Sequence, residues 1–522
     1  MGAQGQKLNL RLWRATAAIA FLALASCSSD TPATLNRVNT HELFNEAYRQ
    51  ISDYYIEPTT PERLGLAGLA KLTSLDSSIT VERQGNQIVV QKSGAILARF
   101  EAPSATDSWD WGGVTASALD AARHASPKIA ATSEDDLDKV VMDGAIATLD
   151  KFSRYASPSA AREQRAERNG FDGIGVTLEP DETQVRILTV LPDGPAERAG
   201  IKADDRIVTI DGTAASILTR DQVVMRLRGP AGTRVAIGIE RPGAPQPLAF
   251  SVSRAHIVLP TVTMKLDGRI AIFRITSFNQ ETYEQLVEAL AKARRELGAP
   301  PAGIVLDLRD NPGGLLDQSV KVASVFLRGG LVVSTVGRRR ESRKEYPAEM
   351  NRAIDGIPLV VLVNGGSASA SEIVASALQD RGRAVLIGTS SFGKGTVQTV
   401  LELLNDGELT VTWAKLVTPE GYILHEHGVV PTVCTADLGD DDGSITRAIQ
   451  QGSSTGTGLA ARPRIALDEK GWTELRRSCP AQRVDRTVDL KLAERLLQDP
   501  VLYTRVLNAM PIESARTAAA AQ

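Results

Sequence analysis

Between residues 269 and 380, short runs that are apolar almost throughout alternate with segments of helical period. RIAIFRI is followed by a helical pattern over 281–296, GIVLDLRD by one over 315–327, and PLVVLVN by one over 370–380. Strands of this kind, separated by helices, specify an α/β core.

At 522 residues and 43% hydrophobic content, the chain exceeds one ordinary domain and can bury several cores, which sets an expectation of two to three domains. Residues 171–255 differ from the core. They carry short alternating strands (GIGVTLE, QVRILTV, RIVTIDG, RVAIGIE, LAFSV) between Gly/Pro/Asp turns, with helical stretches at PAERAG and TRDQVVMRL, and so predict a compact β-rich module. Just ahead, residues 133–149 read as a helix whose acidic first turn follows a Ser cap, and LDKFSRYASP comes next. Residues 40–56 have the period of an amphipathic helix, and residues 79–100 that of a small meander broken at Gln84-Gly85-Asn86 and Ser93-Gly94. A Pro/Ser/Asp-rich passage at 102–111 leads to a further helix, and the rest of 60–133 carries no clear pattern. Residues 437–458 have linker composition, residues 488–507 are helical, and the Ala-rich end after Ser514 is expected to fray.

The amino end bears Lys7, Arg11 and Arg14 before an apolar run over 15–25, the pattern of a signal peptide and too short for a comfortable membrane span. Leu24-Ala25-Ser26-Cys27 resembles the bacterial lipobox, in which the Cys is acylated; an ordinary secretory signal with an incidental Cys is the plainer alternative. The expectation is a periplasmic protein anchored by lipid at Cys27, with Ser28 favouring the outer membrane. Cys434 and Cys479 then remain as a pair for an oxidising compartment, although two buried thiols would give the same count. Lys and Arg number 59 against 62 Asp and Glu, so the charge offers no footprint for nucleic acid. No His/Cys cluster has metal-site spacing, and no cofactor or metal is expected.

Chemistry concentrates in two stretches. In NGGSASASEIVASALQDRG, Ser369 can be a helix cap completed by Glu372 or a nucleophile presented at a helix amino end; taken alone the stretch favours the cap. In SFGKGTVQTV, Lys394 lies between Gly393 and Gly395, where its amine can be pressed against other backbone. A lysine serves as a general base only when its neutral form is populated, which requires desolvation. Gln398, placed on the same strand face, could hold that amine only if the chain bends, since four strand residues span roughly 13 Å. Oxyanion donors are expected from the Ala370 amide and from Gly313 or Gly314 in DNPGG, which is otherwise an ordinary strand-to-helix turn. His425 and His427 flank Glu426 and read as a solvated face, and no His has a triad setting.

Together, GSASASE, FGKGTVQ, DLRDNPGG, FDGIGVTLE and LDKFSRY resemble the C-terminal processing peptidases, or tail-specific proteases, over about residues 134–431. In that family the Ser and Lys are 25 residues apart and a Gln lies four further on, which matches Ser369, Lys394 and Gln398. The resemblance implies an α/β crotonase-like (ClpP/crotonase-related) protease core with an inserted β-rich PDZ domain and a helical N-terminal region. Joined to the readings above, this divides the chain into a lipoprotein signal at 1–26, the N-terminal helix and meander at 27–133, and the core at 134–170 plus 256–436. The PDZ domain takes 171–255, and a linker with a helical tail takes 437–522. Gly173, Ile174, Gly175 and Val176 would form the loop whose amides take a substrate's terminal carboxylate, while Glu372 and Asp380 would give helix capping and support. The implied function is endoproteolysis of protein or peptide substrates with free C-terminal tails. A PDZ-type adaptor with a resting core is the rival, and a crotonase-like acyl-CoA enzyme fits poorly with export. The meander and the tail depart from a minimal member and are expected to govern assembly, as a homo-oligomer or with an activating lipoprotein or adaptor.

Overall fold

The structure is a computed structural model that describes residues 39–508 apart from 180–184, 350–353, 355, 440, 442, 446–466 and 485–486. The signal segment, Cys27, the linker from residue 446 onward and the Ala-rich end lie outside the described residues.

The apolar runs form one six-stranded sheet in the order Val262–Asp267, Ile270–Ile275, Gly303–Asp307, Leu359–Val363, Val385–Gly388, Val433–Cys434. The first pair is antiparallel and the rest are parallel. Successive side chains point to opposite faces, so a strand apolar at every position needs two cores. Phe273, Leu306, Val361 and Leu386 face the crossover helices Thr282–Leu297, Leu316–Phe326 and Ala370–Asp380. Ile272, Val305, Val360, Leu362 and Ile387 face the other way, onto Leu492, Leu496 and Val506. The tail thus supplies the second layer of the core: Gly303 lies so close to it that an added Cβ would sit 3.0 Å from Leu497. Residues 488–507 are not one helix but two, Thr487–Gln498 and Pro500–Asn508. Pro500 lacks the N–H that helix continuation requires and instead opens the second helix, with Asp499 accepting from the Val501 and Leu502 amides. A further helix, Glu469–Ser478, is joined to the edge strand by a Cys434–Cys479 disulfide, so the two cysteines do pair.

A second sheet is built around the long strand Glu408–Val417. Thr396–Glu402 covers one of its edges, while Leu331–Val336 and Arg154–Ala156 share the other at opposite ends. The helix Thr40–Tyr54 rests on this layer: Ile56 donates to the Thr412 carbonyl, and Arg338 donates to the Ser52, Asp53 and Tyr55 carbonyls. The meander forms as Ile79–Gln84, Gln87–Lys92 and Ala95–Glu101. Around it lie helices that the sequence reading left unassigned or started late. Pro61–Ala70 is capped by Thr60, and Ser108–Ala125 is capped by Asp107 and already includes Trp109 and Trp111.

The β-rich module enters and leaves through adjacent strands, Phe171–Gly173 paired with Ala255–Ile257, as an insertion must. Inside it, Leu248–Ser253, Arg234–Glu240, Arg206–Ile210 and Thr213–Ala214 form a sheet in that order. Ile187, Ile207, Ile237, Val252 and Val223 make its separate core, with Val223 on the helix Arg220–Leu227.

Candidate active site

Three adjacent parallel strands, Gly303–Asp307, Leu359–Val363 and Val385–Gly388, each release a loop at their carboxyl ends, where open α/β sheets bind ligands. The first loop carries Gly313 and Gly314, the second Ser369, and the third Lys394. All four residues line one cavity of about 720 Å³, together with Ala370, Gln398, Arg154 and Arg168.

Ser369 caps the helix Ala370–Asp380 with φ 56°, a left-handed conformation that costs a non-Gly residue about 1–3 kcal/mol and persists only when neighbours enforce it. The enforcement is visible. Asn311 accepts from the Ala368 amide on its carbonyl (2.9 Å), and its side chain donates to the Ile275 carbonyl (2.8 Å). The Ser367 hydroxyl donates to the Leu308 carbonyl at 2.8 Å. Asp310 and Asn364 exchange two hydrogen bonds between the first and second loops.

The two glycines of DNPGG divide their tasks. Gly313 donates its amide to Asn311 Oδ1 at 2.9 Å, and an added Cβ would lie 2.8 Å from that of Ser369. Gly314 forms a parallel bridge with Phe278, whose amide and carbonyl bond instead to the Gly313 carbonyl and the Leu315 amide, each at 2.9 Å. The bridge turns the Gly314 N–H away from Phe278, and neither it nor the Ala370 N–H has a partner among the described residues. An oxyanion would therefore find its donors at Gly314 and Ala370, with Gly313 as support.

Lys394 is not in a strand, as the sequence reading had it, but in the loop before Thr396–Glu402. Gly395 makes that turn, because a Cβ there would overlap the His425 backbone. The bend required between Lys394 and Gln398 is reinforced by a bulge, where the register slips between Val397 and Gln398. The Lys394 amine rests 5.4 Å from the centroid of the Phe152 ring, while Gln398 donates to Thr396 Oγ1 (2.8 Å) and Thr412 Oγ1 (3.1 Å). Among the described residues, no hydrogen bond joins Lys394 to Ser369 or to Gln398. Burial pushes the amine below its ordinary pKa and Arg154 pushes it further, against Glu372 and Asp150.

Glu372 does more than cap a helix. Fully buried, it accepts on one oxygen from the Ser391 hydroxyl (2.5 Å) and the Gly393 amide (2.7 Å), and on the other from the Ser369 (2.7 Å) and Lys394 (2.9 Å) amides. One carboxylate thus ties the loop of Ser369 to that of Lys394. Burial raises its pKa, and these four bonds pull the other way. The capping-box spacing revealed the Ser369 bond, whereas the bonds to residues 391–394 had no local signal.

His425 and His427 are not a solvated face. The His425 ring is edge-on to Phe152 at 5.9 Å, and His427 stacks on Trp472 at 4.5 Å. No group of three or more His, Cys, Asp or Glu suited to a metal occurs among the described residues.

Residues 269–435 match peptidase family S41, and residues 186–241 match a PDZ domain. The carboxy-terminal-processing protease of Bartonella bacilliformis is 38% identical over 294 residues, spanning 56% of this chain and 68% of that protein. The chain belongs to the carboxy-terminal-processing proteases. The Synechocystis sp. member is 37% identical, with 55% of this chain and 68% of that one covered. A photosystem II D1 C-terminal processing protease of known structure is 28% identical, covers 76% of this chain and 92% of its own, and superposes with a TM-score of 0.38. The chain is therefore a serine-type endopeptidase carrying a PDZ domain, and the segment that matches the peptidase family contains Gly313, Gly314, Ser369, Lys394 and Gln398.

Proposed function

We propose that this protease acts in the periplasm from a lipid anchor at Cys27, and that it cuts proteins by a Ser369/Lys394 acyl-enzyme mechanism. The observation that carries the mechanism is the convergence on one cavity of a strained serine, a desolvated lysine and two amides without a partner among the described residues. Neutral Lys394 takes the Ser369 hydroxyl proton as the oxygen attacks the substrate carbonyl. The Gly314 and Ala370 amides donate to the oxyanion, the lysine ammonium returns its proton to the leaving amine, and water then hydrolyses the ester. Gln398 supports the bend that brings the lysine loop over Ser369, in a core we read as crotonase-related.

Substrate tails dock on the PDZ domain. The Ile174 and Gly175 amides have no partner among the described residues, and Gly175 has φ 77°, so they are the donors a terminal carboxylate would use as the tail adds as a strand, once the buried 173–175 turn is exposed. The resting position of the amine over Phe152 favours a second reading, a tail-binding protein whose core awaits an activator.

The test is cleavage of an unstructured protein with an apolar free tail by wild type, Ser369→Ala and Lys394→Ala, beside an amidated-tail substrate. Cutting by wild type alone, weakened by amidation, supports the mechanism and the docking role. Equal cutting by all three sinks the Ser/Lys assignment, and tail binding without cutting selects the second reading.

A further inference from the structure

The helix Glu469–Ser478 lies beyond the residues that match the peptidase family, yet it is fastened to the floor of the catalytic loops. Cys479 is bonded to Cys434, and Trp472 stacks on His427 and leans on Tyr422 at 4.9 Å. Arg476 donates to the Ser391 carbonyl at 3.0 Å and to the His427 carbonyl. Ser391 continues the path: its hydroxyl accepts from the Val429 amide at 2.7 Å and donates to Glu372 at 2.5 Å. A methyl added to Gly428 would lie 2.7 Å from Arg476 Nη1, 2.7 Å from Ser391 Oγ and 3.2 Å from Glu372 Oε1. Guanidinium, hydroxyl and carboxylate thus surround one point.

Three of the four groups that donate to Glu372 are amides, which can only donate, so the full set is satisfied by the ionised carboxylate. Burial opposes that ionisation. Among the described residues, the positive groups facing Glu372 are Lys394, whose proposed working form is neutral, and Arg476, which stays charged. Glu372 favours the charged form of Arg476, and Coulomb interaction is mutual, so Arg476 favours the carboxylate.

We propose that Arg476, anchored through the Cys434–Cys479 disulfide, is a positioning residue that clamps the Ser391–Glu372 network and thereby sets the loops of Ser369 and Lys394 against each other. The catalytic consequence rests on the Ser369/Lys394 reading; the clamp itself does not. Loss of the guanidinium lets Glu372 take up a proton at higher pH, and the Ser369, Gly393 and Lys394 amides then lose their acceptor.

The experiment is hydrogen exchange of those three amides across pH in the full chain in detergent. Wild type is compared with Arg476→Met, Arg476→Lys and the Cys434→Ser/Cys479→Ser pair, and cleavage kinetics are measured in parallel. In Arg476→Met the amides lose protection, the acid-side loss begins at higher pH, and kcat falls on the order of 10- to 100-fold with little change in KM. Arg476→Lys recovers part of each, and the cysteine pair falls between. Wild-type protection in Arg476→Met, or a loss spread evenly over the molecule with no pH displacement, overturns the proposal. If Arg476→Met does not fold, an unmoved pH onset in both Arg476→Lys and the cysteine pair does the same. Displaced exchange in a chain whose wild type never cuts would leave the clamp standing and remove the Ser/Lys mechanism.

Discussion

A lysine proposed to work neutral is governed by the charges nearest its amine. The Arg154 side chain lines the cavity, its guanidinium donates no hydrogen bond and forms no ion pair among the described residues, and it depresses the Lys394 pKa. Neutral amine accumulates as pH rises through that pKa, so under the proposed mechanism the rising limb of kcat/KM against pH reports it. Arg154→Gln removes a like charge, raises the lysine pKa and moves that limb to higher pH; an unmoved limb would exclude Arg154 as a determinant. At this scale the meeting of Ser369, Lys394 and the Gly313-Gly314 pair at one cavity was legible, because a serine among small residues, a lysine between glycines and a glycine pair after a strand each signal constrained backbone. The division between Gly313 and Gly314 was not legible, because it depends on Asn311 reaching one amide and Phe278 turning the other.

The helix Glu134–Ile146 shows an element's needs in conflict. Glu134, Asp135 and Asp136 suit its positive amino end, but Asp135 and Glu134 also repel Asp138, which burial first and those two charges next push up to about 7. A carboxyl with a folded pKa above its unfolded value binds more protons when folded, so its contribution declines as pH rises from about 4 to about 7. Asp138→Asn should therefore raise the melting temperature most above about pH 7, with the gain fading toward about pH 4. An equal gain at both ends would point to packing instead. Elements with a strict period or a cap were readable from sequence, as with Ser133 and the meander. Glu469–Ser478 and the partners of Glu408–Val417 were not, because what holds them lies far away in the chain. One such hold is buried Glu408, which accepts from Arg165 and Arg168.

For the whole molecule, the α/β core could be inferred from runs apolar on both faces, but the sequence did not say what covered the second face. The answer is the tail, through Leu492, Leu496 and Tyr503, whose hydroxyl also bonds to the backbone of Leu359. Leu496→Ala should cost about 2–5 kcal/mol in denaturant unfolding of the core. Lys491→Ala, on the exposed side of the same helix, should leave unfolding unchanged, and equal effects would place the tail outside the core. Chains are made amino end first. The sheet whose loops form the cavity therefore lacks its second wall until residues 487–508, made after every one of its strands, have emerged, so completion of the site waits on a segment that contributes nothing to its lining.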